Sequence, residues 1–359
     1  MNTIQPTSQP ASPSLTAKML VSGFAPGWFA AVMGTGAFAL ATLRLSHELP
    51  DWSALSGLAW GLHGFNLLLF VLLLGPWLAR WLLYRQAAMA TFRHPVMAHF
   101  YPTFAIALLV IAGQLRAFGG HEALALPVWW FAAGLTWLFS FMVLFNVFRS
   151  EQVTLEHISP AIFIPPVGLV VIPIAGGPLL AQQPAAWQEL ALLVNYGSLG
   201  AGALMYLSLL ALVIHRFFVV KPLPGMLVPT VWIHLGPLGA MAVSALNLAA
   251  AGPLPGFKEP LILLALLLWG FGVWWLVMVI ALTWTAYRQQ QLPFSLAWWA
   301  FTFPLGAFTL GSQRLADTLG LTIPMTVGAI SWGLLAFLWT ATLFRTLAGA
   351  ASGALFKNG

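Results

Sequence analysis

Trp298–Ala316, WWAFTFPLGAFTLGSQRLA, is apolar enough to enter a bilayer, yet it carries a proline and a glycine in mid-segment and an arginine ten residues after the proline. Proline removes a helix hydrogen bond and clashes with the preceding turn, so Pro304 is expected to break or bend this helix about halfway across the membrane. Broken helices are tolerated in a bilayer only against protein or a water-filled cavity. The stretch therefore reads as a pore-lining helix, with Phe303 at its bend and Arg314 at one mouth.

The rest of the chain has the same character. Its 359 residues are 60% hydrophobic and only 6% charged, whereas soluble domains run near 25% charged. This is the composition of a polytopic membrane protein. The chain has no cysteine, which removes disulfides and thiolate metal sites. The net charge of +6 is spread over few residues, and no basic run suggests nucleic acid as a partner. Residues 1–17 are polar and rich in Pro and Ser and read as a disordered cytoplasmic tail. Residues 18–349 read as one transmembrane domain, and 350–359 as a short cytoplasmic C-terminal tail.

A spanning helix needs about 20 apolar residues. Ten segments qualify, near 24–43, 55–79, 97–116, 126–148, 159–181, 190–217, 228–250, 260–287, 295–316 and 323–346. With the N-terminus inside, ten of the 14 basic residues fall on the cytoplasmic side, as the positive-inside rule requires. Arg44, Arg116, Lys258 and Arg314 fall outside. Trp52, Trp77, Trp81 and Trp187 lie near segment ends and read as interfacial anchors.

The odd-numbered segments carry the mid-segment breaks, Gly34 and Gly36 in the first, Pro102 in the third, Pro166 in the fifth, Pro237 in the seventh and Pro304 in the ninth, whereas the even ones are longer with little internal punctuation. From Gly34 the breaks are spaced 68, 64, 71 and 67 residues, an internal repeat of one helix pair present five times. The fold expected is all-α: ten transmembrane helices as five hairpins in a quasi-five-fold ring around a central pore, broken helices inward and smooth ones towards lipid.

With each break as the origin, the preceding residue is Met33, Tyr101, Pro165, Gly236 or Phe303. Phe303 and Tyr101 are the bulky aromatics of that set and form the expected apolar gate. Two residues earlier stand Ala31, His99, Phe163, His234 and Phe301. His99 and His234 would then share one depth, able to bind an anion or carry a proton, or to serve as ordinary buried hydrogen-bonding groups. Ten residues beyond the break stand Arg44, Ala112, Gly176, Asn247 and Arg314. Arg44, Asn247 and Arg314 are the expected selectivity group at the outer mouth; interfacial snorkelling is the alternative for the arginines.

No carboxylate falls within the apolar core of any segment, which argues against a cation channel or a carboxylate proton relay. A membrane cytochrome with His63, His99 and His234 as haem ligands is a second class. No His-Glu-x-x-His, Gly-x-Ser-x-Gly or paired intramembrane carboxylates are present, so neither enzyme chemistry nor a bound metal or cofactor is expected.

Ala297-Trp298-Trp299-Ala300-Phe301-Thr302-Phe303-Pro304 resembles the ninth-helix motif of the tellurite-resistance/dicarboxylate transporter family. Gly27-Trp28-Phe29 with Val32-Met33-Gly34-Thr35-Gly36 is similar to the first helix of its malic-acid and sulfite branch. His94-Pro95 and His157–Pro160 resemble the motifs that open the third and fifth helices. The likeness covers residues 20–346. It implies ten helices around a pore, often in trimers, a pore-occluding phenylalanine at Phe303, and transport of small anions in a bacterial inner membrane. C4-dicarboxylates such as malate are the leading substrates it implies, with sulfite, tellurite or passive passage of inorganic anions as alternatives. Long regulatory tails like those of the plant slow-type anion channels are absent from this sequence.

Overall fold

The computed structural model describes residues 17–355 apart from 152, 253 and 354. The tail expected over 1–17 lies outside the described residues except for Ala17. Ten long helices carry the fold: α1 (Phe29–Glu48), α2 (Ser53–Leu83), α3 (Pro102–Ala117), α4 (Glu122–Phe148), α5 (Ile164–Leu179), α6 (Gln188–Val219), α7 (Leu235–Ala251), α8 (Lys258–Arg288), α9 (Thr302–Leu319) and α10 (Thr322–Ala351). Short helices Ala17–Ser22 and Arg85–Arg93 complete the α content, and no strand occurs among the described residues.

The odd helices are shorter than the even ones, and each is entered through a 3₁₀ segment: Pro26–Trp28, Met97–Phe100, Pro160–Phe163, Gly225–His234 and Leu296–Phe301. The proline signal explains this. Pro102 opens α3, and Pro165, Pro166, Pro237 and Pro304 all lie in the first turn of their helices. First-turn N–H groups have no partner within the α-helix, so proline loses nothing there. Its ring still disfavours α geometry upstream, and the tighter 3₁₀ turn takes over. The expected mid-membrane kinks at these prolines are therefore junctions from 3₁₀ to α, without a lost hydrogen bond inside the helix. Gly34 departs from this scheme: it lies in the second turn of α1, past the junction at Trp28.

The odd helices touch in a closed cycle: α1 with α3, α3 with α5, α5 with α7, α7 with α9, and α9 with α1. Each even helix packs on the odd helix before it and leans on the odd helix after it, α10 closing onto α1. Burial follows this division. Between 78 and 89% of the apolar window is buried in α1, α3, α5 and α7 with their leads, against 22 to 33% in the even helices. Hence the five hairpins form an inner layer of five parallel helices and an outer layer whose exposed Leu, Phe and Trp side chains suit lipid.

Among the described residues, nine helical spans are long and apolar enough to cross a membrane. The tenth member of the bundle, α9, falls short because Gln313, Arg314 and Asp317 occupy its last turns. It is buried between α1 and α7, so it never has to satisfy lipid.

Close approach inside the cycle uses the glycines. A Cβ at Gly34 would strike Thr302 and the backbone nitrogen of Phe303, one at Gly239 the backbone of Ala307 and Phe308, and one at Gly306 the side chain of Ala37. Small residues allow this packing, since lipid supplies no hydrophobic drive between helices. Gly36 points elsewhere, towards Val110, Asn66 and Gln114. Indole N–H groups tie the layers together: Trp129 to the Ile172 carbonyl (3.0 Å), Trp269 to Ser312 (2.9 Å), Trp332 to Thr42 (2.9 Å) and Trp339 to Thr35 (2.9 Å). Much of the tryptophan thus serves between helices. Trp77, read as an interfacial anchor, is itself buried, whereas Trp52 and Trp187 are exposed.

Candidate functional site

Ten crossings put both described chain ends on one face, called near below; the opposite face is far. A cavity of about 410 Å³ opens at the near end of the inner layer. All five odd segments wall it, and four of them present a pair of residues three apart: Ala30 and Met33, Phe100 and Thr103, Ile164 and Val167, Ala300 and Phe303. From the fourth odd segment Ile233 lines it, with Gly236 three residues on. Three residues make one turn of a 3₁₀ helix and nearly one of an α-helix, so each pair stacks along a single face.

The cavity is apolar. Thr103 and Ser295 supply the hydroxyls on its wall, and both already donate: Thr103 Oγ1 to the Pro26 and Phe100 carbonyls (2.9 and 2.6 Å), Ser295 Oγ to that of Met226 (3.3 Å). Phe303 stands at the deep end, 5% exposed. Among the described residues no aromatic ring pairs with it. Phe301, two residues away, packs against Trp232 and Trp298.

Seven residues on from 33, 103, 167, 236 and 303 stand Leu40, Val110, Ile174, Val243 and Leu310, an aliphatic level about 10 Å further along. Leu40, Ile174 and Leu310 are partly exposed on helices that are otherwise almost wholly buried. Eleven residues on stand Arg44, Gln114, Pro178, Asn247 and Arg314.

The far mouth is ionic. Arg44 is held by two carboxylates: its Nε donates to Asp317 Oδ2 (2.8 Å), and its Nη2 donates to Glu48 Oε1 (2.6 Å) and to Asp317 Oδ1. Arg314, only partly exposed, donates from Nη2 to Asn247 Oδ1 (2.9 Å), and Asn247 Nδ2 donates to the Ile174 carbonyl (2.8 Å). Arg44, Arg116 and Asp317 all lie within electrostatic range of Arg314. Asp317 follows Arg314 by three residues, one helical turn. Sequence reasoning placed Arg44 and Arg314 at the mouth but not the carboxylate between them. Their fates differ: Arg44 is neutralised, and Arg314 is positioned by an amide.

Several expected site residues lie elsewhere. Tyr101 is fully buried on the outward side of its helix, against Trp77 and Phe92, with its hydroxyl donating to the Ala88 carbonyl (2.6 Å). The residue of that hairpin facing the cavity is Thr103. His234 is enclosed by Phe163, Phe271 and Trp275, its ring nitrogens 3.1 Å from the Tyr206 hydroxyl. His99 borders a separate small pocket with His157 and Ser159, on the back of the cavity wall. His63 stacks on Phe118 at 4.4 Å. The three histidines weighed as haem ligands share no cavity.

The sequence has relatives. The family described as voltage-dependent anion channels matches residues 23–347. An uncharacterized transporter of Methanocaldococcus jannaschii is 41% identical over 94% of this chain and 97% of its own length. A sulfite efflux pump of Trichophyton rubrum is 25% identical over 94% of this chain and 93% of its own. A malic acid transport protein of Schizosaccharomyces pombe is 22% identical over 82% and 70%. With ten long helices and a family match over residues 23–347, this chain is a multi-pass membrane protein of the voltage-dependent anion channel family, an anion transporter and channel family.

Proposed function

We propose that this protein passes small oxyanions across the plasma membrane along the axis of the inner layer, with Phe303 closing the path between the near cavity and the far mouth. The observation that carries this reading is the convergence of all five odd segments on one cavity whose deep end is Phe303. The near face is the cytoplasmic one, in keeping with its excess of arginine and lysine.

Backbone electrostatics supply the anion preference. The five inner helices run in one direction, so their positive dipole ends all lie at the near cavity. Their negative ends lie at the far mouth, where Arg116 and Arg314 offset them and Arg44 is taken up by Glu48 and Asp317. An anion in the cavity thus meets aligned dipoles without a fixed cation to trap it, and weak binding is what conduction requires.

Sulfite is favoured over malate as cargo. No charged side chain lines the cavity among the described residues, so nothing there grips two carboxylates. The sulfite pumps also align over more of both chains than the malic acid transporter does. The trimer implied by the family resemblance is compatible with this route, which runs within one chain.

Anion flux through purified protein in liposomes tests the gate. Phe303→Ala is expected to raise flux about tenfold or more, equivalent to ~1.4 kcal/mol off the barrier. Unchanged flux would remove Phe303 from the path.

A further inference from the structure

We propose that the corner of the near face around Arg80 is a docking surface for the headgroup of an anionic phospholipid, and that through it the surrounding lipid acts on the cavity wall. The docking surface stands independently of the anion route; its effect on transport rests on the reading above.

Three segments meet at this corner. Arg80, near the end of α2 and 4% exposed, donates from Nε to the Ser22 carbonyl (3.2 Å) and from Nη2 to the Ala87 carbonyl (3.2 Å) and Thr91 Oγ1 (2.6 Å). It holds the helices Ala17–Ser22 and Arg85–Arg93 against α2. Lys18 lies one helical turn before Ser22, Arg85 two residues before Ala87 and Arg93 two after Thr91, and all three cations are exposed. Helix Arg85–Arg93 is amphipathic. Ala88 and Phe92 are buried one turn apart, with Phe92 against Tyr101 (4.9 Å), while Arg85, Gln86, Ala90 and Arg93 are exposed. Just before it, Leu82 and Leu83 are 81 and 71% exposed. An apolar lip beside cationic side chains meets acyl chains and headgroups together.

Charge gives the sign of the occupant. No Asp or Glu occurs over residues 1–47 or 52–121, and the near-face acids Glu151 and Glu156 belong to the loop after α4. Among the described residues Lys18, Arg85 and Arg93 make no ion pair, hydrogen bond or cation–π contact, and Arg80 has no carboxylate partner. Arg80 Nη1 is buried without a hydrogen bond. By contrast Arg149, Arg216, Arg288 and Arg345, on the same face, lie over aromatic rings at 5.4, 5.9, 6.0 and 5.0 Å. A buried guanidinium without a counter-ion is costly. A phosphate held by Arg85 and Arg93 supplies the missing charge, each exposed arginine at an anionic leaflet contributing about fivefold in affinity. The corner also braces the cavity. Tyr101, beside the wall residue Phe100, donates from its hydroxyl to the Ala88 carbonyl (2.6 Å), and Ser22 leads directly into Gly23 and Ala25 of the wall. Two of the five leads therefore lean on Arg80 and the helix it holds.

The test compares Arg85→Gln/Arg93→Gln with Arg149→Gln/Arg288→Gln, which removes the same charge elsewhere on the near face. The melting temperature of the full-length protein is followed in uncharged detergent micelles during titration with phosphatidylglycerol, with phosphatidylcholine, or with glycerol 3-phosphate in the buffer. Phosphatidylglycerol is expected to raise Tm by about 2 °C or more in the wild-type protein and in the Arg149/Arg288 variant. In the Arg85/Arg93 variant the same gain is expected to need about 25-fold more lipid. Phosphatidylcholine and glycerol 3-phosphate are expected to give no gain. In liposomes containing phosphatidylglycerol, nitrate flux through the Arg85/Arg93 variant is expected to fall a few-fold below wild type, and to match it in phosphatidylcholine alone. No gain with phosphatidylglycerol, an equal loss of gain in both double variants, or a gain with glycerol 3-phosphate, which would mark a site for soluble phosphate, would each overturn the docking surface. A shifted titration with unchanged flux would overturn its link to the cavity. Absence of nitrate flux in every lipid would instead overturn the anion-transport reading and leave the docking surface standing.

Discussion

The two ends of the inner layer differ in where their charge lies. At the near end the cavity is walled by Met33, Thr103, Val167 and Phe303, and its field comes from the backbone. At the far end the field comes from side chains in two hydrogen-bonded groups, Arg44 with Glu48 and Asp317, and Arg314 with Asn247. Formal charge sits where water can reach it, and the dehydrated stretch is left to peptide dipoles, which carry little desolvation cost. Mutations at the two ends are therefore expected to differ in kind.

The largest effect is expected from a carboxylate in the near cavity. Thr103→Asp opposes the dipole field and is expected to lower nitrate flux in liposomes at least about tenfold, ~1.4 kcal/mol or more of added barrier. Undiminished flux would place the route outside the cavity. At the far end, Arg314→Gln keeps a polar partner for Asn247 but deletes the positive charge. Flux is expected to fall a few-fold, and its salt dependence to flatten, because the lost interaction is a screened one. Arg44→Gln is expected to leave flux nearly unchanged, since its charge is already matched by Asp317 and Glu48. It is expected to cost about 1 kcal/mol or less of stability in a thermal melt, as partly exposed ion pairs do. Adding Asp317→Asn should recover part of that loss. A larger flux effect at Arg44 than at Arg314 would reverse the roles assigned to the two arginines. Smallest of all, Trp339→Phe removes the indole donor to Thr35 and is expected to cost about 0.6 kcal/mol with flux intact.

The contrast between the ends also marks how much could be read from the chain. Ten segments, their pairing and the inward placement of the punctuated ones followed from hydropathy and from the spacing of Gly and Pro. The register of the wall did not. Proline reports where an α-helix starts, not which side of it faces the axis. In the second and third hairpins the cavity residue follows the proline, as Thr103 follows Pro102 and Val167 follows Pro166. In the fifth, Phe303 precedes Pro304 as well as sharing the wall with it. Two residues of slip rotate a helical side chain by about 200°, enough to turn Tyr101 to the back of the wall. The salt link between Arg44 and Asp317 was hidden for another reason. Its partners stand 273 residues apart and meet only when the layer closes.

That closure has a consequence for how the molecule comes into being. Gly34 of α1 receives Thr302 of α9, a helix made eight crossings later. Until then the earliest inner helix exposes a glycine-bearing flank with nothing of its own chain to cover it. The barrel of helices has no stable half-built version with a sealed wall, so a ribosome that stalls before α9 releases an open-sided trough.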